Sequence, residues 1–115
     1  MQEFALTINL VDDPAKIEEY KAYHRNVWPE VVENLAAVGI LNMKIWLLGR
    51  RMFMLMQAED SFRPDRDFAR LEASSPRYDE WQRKMDEFQE RVPEAQPAEH
   101  WAAMELVFDM SDNGP

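Results

Sequence analysis

The stretch Ile40-Leu-Asn-Met-Lys-Ile-Trp-Leu-Leu48, with Gly49-Arg50 and then Arg51-Met-Phe-Met-Leu-Met-Gln57, decides the fold. In its first arm Met43, Ile45 and Leu47 point one way, while Asn42, Lys44, Trp46 and Leu48 point the other. That period of two is the signature of a β-strand. Gly49-Arg50 puts glycine first in a two-residue turn, a geometry that suits the twist of paired antiparallel strands. The second arm, residues 51–57, is apolar on both sides, which predicts a central strand.

Working outward, residues 4–10 alternate again, with Phe4, Leu6, Ile8 and Leu10 set against Ala5, Thr7 and Asn9. Asp13 is a suitable N-cap and Pro14 a suitable first helical residue, so a helix is expected from there to about Asn26. Trp28-Pro29 breaks it, because a residue before proline avoids the α region. Pro29 opens a second helix, which carries Val31, Val32, Leu35 and Val38 and stops at Gly39. Beyond the hairpin, helical spacing covers Pro64 to Ala73 and, after Ser74-Ser75-Pro76, continues to about Gln89. Trp81, Met85 and Phe88 share one face of that last helix. A linker containing Pro93 and Pro97 precedes Trp101–Met110, expected as the closing strand.

The order is β-α-α-β-β-α-α-β. With each helix pair taken as one layer it becomes β-α-β-β-α-β, a ferredoxin-like α+β fold with a four-stranded antiparallel sheet and helices on one face. Residues 1–110 form one domain and 111–115 a frayed tail. The other sheet face is left bare and apolar, so the expected assembly is a homodimer, a dimeric α/β barrel.

Composition excludes several function classes. The 115 residues carry a net charge of −9, which disfavours sequence-independent binding to nucleic acid and attachment to an anionic membrane surface. Residues 1–57 hold 7 acids and 6 bases, whereas 58–115 hold 15 and 7. The second half is thus a solvated acidic surface, and the near-neutral first half suits a neutral sugar or a partner. The absence of cysteine removes disulfides, thiolate nucleophiles and Cys-type zinc sites. No apolar run approaches the ~20 residues of a membrane span. Met1-Gln-Glu-Phe lacks the basic and apolar regions of a signal peptide, so a cytoplasmic protein is expected. Glycine occurs only at 39, 49 and 114, which rules out a P-loop and a dinucleotide fingerprint.

Two histidines exist, His24 and His100. His24 lies four residues after Tyr20 and four before Trp28, so phenol and imidazole share one helix face. An acid–base group, a hydroxyl partner and an aromatic plane together suit a carbohydrate site. A histidine on an apolar stripe equally fits a core residue bonded to a backbone carbonyl. His100, beside Glu99 in the proline-rich linker, is expected to be solvated. Adjacent acidic pairs do not converge on one helix face, and no metal-ligand spacing occurs. Met52, Met54 and Met56 read as core filling.

The stretch Glu18-Glu-Tyr20-Lys-Ala-Tyr-His24-Arg-Asn-Val-Trp28-Pro29-Glu30 resembles the signature of the L-rhamnose mutarotase family. Gly39-Ile40, Asn42-Met43, the block Pro76–Met85 and the ending Trp101–Phe108 fit the same family in order. The resemblance implies a dimeric ferredoxin-like fold that interconverts α and β anomers of a 6-deoxy sugar, without metal or cofactor. It implies that His24 is the proton donor and that Tyr20, Met43, Trp81 and Gln82 bind the sugar. Rhamnose enzymes carry a tyrosine at the position of Met43 and a Trp-Trp pair at Trp81-Gln82, departures that speak against L-rhamnose, and the Asn42-Met43 context, Glu80-Trp81 and the ending Trp101–Glu105 look closer to the L-fucose branch. Alternatives are an L-rhamnose mutarotase, a small monooxygenase or haem-degrading enzyme on the same barrel with His24 as haem ligand, and a non-catalytic sugar-binding module.

Overall fold

The alternating segments form three long strands in the computed structural model, which describes residues 1–113: β1 (Gln2–Leu10), β2 (Ile40–Leu48) and β3 (Arg51–Ala58). Four helices pack beside them: α1 (Pro14–Arg25), α2 (Pro29–Ala37), α3 (Pro64–Glu72) and α4 (Pro76–Asp86). Each helix starts with proline in its first turn, where the missing N–H would have no intrahelical partner anyway. The Asp13 carboxylate accepts from the backbone N–H groups of Ala15 and Lys16, and the Ser75 hydroxyl accepts from that of Tyr78. Gly39 stops α2 at φ 97°, and Gly49 turns the hairpin at φ 63°.

The sheet runs β2-β3-β1-β4 with antiparallel pairing, so β3 is central as expected. Register places Phe4, Leu6 and Ile8 opposite Met56, Met54 and Met52. The same methionines face Met43, Ile45 and Leu47 on the other side. One sheet face is therefore continuous hydrocarbon, and the helices cover it. Ile8, Leu10 and Met56 are fully buried there. Removing one such side chain from water stabilises the fold by about 1.5–3 kcal/mol. A second anchor is Asp67 in the first turn of α3, only 1% exposed. It accepts from the Arg63 backbone N–H at 2.7 Å and from the Arg66 and Arg70 side chains. The Arg66 bond leads the causes that hold this carboxyl well below the usual range.

The closing region differs from expectation in two ways. α4 ends at Asp86 instead of near Gln89, and Gln89–Glu90 form a short strand, β4, on Leu10 and Asn9. The expected strand Trp101–Met110 shrinks to β5 (Ala102–Ala103), which pairs with Thr7 and Leu6. The fourth-strand position is thus filled by two short pieces on one edge of β1, with Pro93 and Pro97 in the loop between them. Only the Met104 N–H, donating to the Ala5 carbonyl, prolongs the ladder. Leu106, Val107 and Phe108 alternate no buried side: they are 73, 87 and 68% exposed. Periodicity reports a segment's apolar demand, but a ladder also requires a partner edge. Met110–Asn113 make one 3-10 turn, and the last two residues of the expected tail, Gly114 and Pro115, lie outside the described residues.

The other sheet face is bare, as expected. There Trp46 stacks on Phe53 with ring centroids 5.5 Å apart, and Leu48 is 85% exposed.

Candidate active site

Between the methionine face of the sheet and the helix layer lies a cavity of about 780 Å³. Phe4, Leu6, Met43, Ile45, Met54 and Met56 form its floor, and Tyr20, His24 and Trp81 its helical wall. The loop before β5 closes one side with His100 and Trp101. All five residues singled out from the sequence, Tyr20, His24, Met43, Trp81 and Gln82, line this one space.

α1 brings Tyr20 and His24 together through its pitch, with ring centroids 4.2 Å apart and planes tilted by 31°. The His24 Nδ1 lies 2.9 Å from the Tyr20 carbonyl oxygen, one turn back. A carbonyl only accepts, so Nδ1 carries the hydrogen and neutral His24 keeps a lone pair on Nε2. Nε2 has no hydrogen-bond partner among the described residues. Burial lowers the His24 pKa below its ordinary 6.5, and the Tyr20 carbonyl offsets part of that. One nitrogen of His24 thus anchors the ring to the backbone, and the other has no hydrogen-bond partner among the described residues.

Burial pushes the Tyr20 phenol up to about 12, with a bond from Gln89 opposing in part, so the hydroxyl keeps its proton. Trp81 meets the edge of His24 at 5.5 Å and of Trp28 at 5.1 Å. At 6% exposure it serves the helix core while presenting part of its ring to the cavity. Gln82 donates from Nε2 to Asp86 Oδ1 at 2.9 Å.

Among the cavity-lining residues that sequence reasoning passed over are Asp86, Gln89 and His100. His100 is not a free solvated side chain. Its Nε2 lies 2.7 Å from Gln89 Oε1 and 3.3 Å from Asp86 Oδ1. Gln82 and Asp86 lie one turn apart on α4, a pair that helical spacing could have revealed, whereas Gln89 reaches the cavity from β4. No local signal marks His100, because only the return of the chain after Pro97 brings it there. The described residues contain no cluster of three or more potential metal ligands.

An open-faced ferredoxin-like unit with a tyrosine and a histidine side by side on the wall of a mostly apolar cavity has the architecture of the α+β barrel type and a pocket sized for a small molecule. Residues 3–110 match the family model for L-rhamnose mutarotase. A UPF0734 protein of Dictyostelium discoideum is 43% identical over 112 residues, covering 95% of this chain and 90% of that protein. An L-fucose mutarotase of Xanthomonas campestris pv. campestris is 36% identical over 114 residues, covering 97% and 90%. The crystal structure of an L-rhamnose mutarotase from Formosa agariphila superposes with a TM-score of 0.68 at 19% identity, over 96% of this chain and 99% of that one. The chain belongs to the L-rhamnose mutarotase family, and its enzyme class is carbohydrate isomerase. No helix among the described residues is long and apolar enough to cross a membrane.

Proposed function

We propose that this protein interconverts the α and β anomers of a 6-deoxy hexose, with L-fucose as the preferred sugar. The observation that carries the reading is the Tyr20–His24 pair on the wall of the cavity, with Nδ1 of the imidazole tied to the backbone and Nε2 open. Mutarotation needs no more than proton transfer at two oxygens of one carbon. Nε2 of neutral His24 removes the proton of the anomeric hydroxyl as the C1–O5 bond breaks and a second group gives O5 a proton, which it takes back on closing. The open aldehyde turns about C1–C2 and recloses on its other face. The imidazolium then returns its proton, so His24 is the proton donor of the closing step.

Trp81 and the hydrocarbon floor suit the apolar face and C6 methyl of such a sugar. Met43 offers shape without a hydrogen bond, and Gln82 an amide. These two depart from the rhamnose-type tyrosine and second tryptophan, and with the full-length likeness to a protein named L-fucose mutarotase they favour L-fucose over L-rhamnose. The bare sheet face with Trp46, Leu48 and Phe53, together with the exposed run Leu106-Val107-Phe108, is read as the surface of a homodimer. The cysteine-free composition fits a cytoplasmic setting.

The test is NMR saturation transfer between anomers, run in parallel on L-fucose, L-rhamnose, D-ribose and D-galactose. Faster exchange of L-fucose than of the others is expected. No acceleration of any sugar overturns the reading, and a preference for L-rhamnose overturns the substrate assignment alone.

A further inference from the structure

The chain Gln82–Asp86–His100–Gln89–Tyr20 has one internally consistent direction. Asp86 accepts on Oδ1 from Gln82 and lies 3.3 Å from His100 Nε2. Gln89 Oε1 is an amide oxygen, which only accepts, so His100 Nε2 carries a hydrogen. That hydrogen serves Gln89 Oε1 at 2.7 Å, which turns the Gln89 amide and aims its Nε2 at the Tyr20 hydroxyl oxygen, 3.3 Å away. The phenol oxygen is thereby occupied as an acceptor. Its own hydrogen has no acceptor among the described residues, and Tyr20 lines the cavity. The histidines consequently hold opposite tautomers: His24 is protonated on Nδ1, His100 on Nε2. No part of this orientation depends on the charge of His100, because Nε2 carries hydrogen in both its neutral and its protonated form.

We propose that Asp86, His100 and Gln89 are positioning residues that fix the Tyr20 hydroxyl as a hydrogen-bond donor into the cavity, making Tyr20 the acid that serves the ring oxygen while His24 serves the anomeric hydroxyl. The inference rests on the mutarotase reading for its substrate and on the hydrogen-bond geometry for its direction. On opening, the anomeric O–H gives its proton to His24 Nε2, the C1–O5 bond breaks, and O5 takes the Tyr20 proton. On closing, O5–H returns its proton to the phenolate oxygen, the C1–O5 bond re-forms, and the imidazolium protonates the anomeric oxygen. Every proton is back where it began. The imidazolium stacked 4.2 Å from the phenolate offsets its charge while the aldehyde turns.

The experiment pairs two variants with a measurement that needs no activity. Long-range ¹⁵N–¹H NMR of the full chain reads each imidazole tautomer, with hydrogen on Nε2 expected for His100 and on Nδ1 for His24. H100Q keeps an N–H donor facing Gln89 and is expected to hold kcat for anomer exchange within about threefold. H100L removes the donor, frees Gln89 to turn over, and is expected to lower kcat about tenfold with little change in KM, the size of one lost neutral hydrogen bond. The ¹⁵N-¹H spectrum of each variant reports whether it has folded. A bare Nε2 on His100 overturns the proposal, as does an equal kcat in folded H100Q and H100L. Lack of exchange by the unaltered protein overturns the proposed function, while the His100 tautomer still decides the direction of the chain.

Discussion

The helix that carries His24 and the loop that carries His100 place the same side chain in the same cavity by different physics. In α1 the ring is held by its own helix, through a carbonyl one turn back and a tyrosine on the adjoining turn. In the loop before β5 it is held by two side chains of another segment, Asp86 and Gln89. One constraint is local and sets the tautomer through a backbone carbonyl; the other is tertiary and sets it through the Gln89 amide oxygen. Equal chemistry thus arrives with unequal robustness, because α1 needs only to be helical whereas the loop needs the whole cavity to close.

The sharpest way to break this comparison is to delete the locally held imidazole. His24→Ala is expected to lower anomer exchange by roughly 10²–10³-fold, as for loss of a general base, with the far-ultraviolet circular dichroism unchanged. Survival of most of the rate in this variant would show that His100 can do the same work. Tyr20→Phe keeps the stacked ring but removes the hydroxyl, and a fall of about 10–10²-fold in kcat is expected in the same NMR assay. The pH profile separates the two groups next. The proposed mechanism uses neutral His24, and burial lowers its pKa, so the acidic limb of kcat/KM is expected below pH 6.5. Tyr20 stays protonated to about 12, so its ionisation imposes no alkaline limb through the mildly basic range.

The same His24 shift acts on stability. The unfolded chain binds that proton more tightly, so the contribution is complete above pH 6.5 and declines as the pH falls toward the lower folded value. Urea unfolding across this range measures it. The smallest effect is expected from Asp13→Ala. It strips the N-cap of α1 and costs about 1 kcal/mol of stability, read from the urea midpoint, without altering kcat in the folded protein.

Much of this molecule was legible without coordinates, and the reason is spacing. The hairpin at residues 40–57, the strand at 4–10 and the proline-started helices rest on local geometry, which alternation, caps and turn residues encode directly. Tyr20, His24, Met43, Trp81 and Gln82 were reached through helix pitch and a family signature, and all five line the cavity. The closing strand was over-read. Its alternation is genuine, yet only Ala102 and Ala103 pair with β1, and the side chains of Leu106, Val107 and Phe108 stay exposed. His100 was passed over because a residue in a proline-containing loop has no period to betray its direction.

By itself the sequence determined which segments are strands and helices, which face of each is apolar, and that a phenol and an imidazole sit one helical turn apart. Backbone period and side-chain chemistry suffice for those. Only the tertiary structure decided that the fourth-strand position is shared by two short pieces, that the loop between them carries His100 onto Gln89 and Asp86, and that the Tyr20 hydroxyl therefore has one direction left in which to donate. These depend on contacts between residues far apart in the chain, whose geometry is set by closure of the fold and by no local rule.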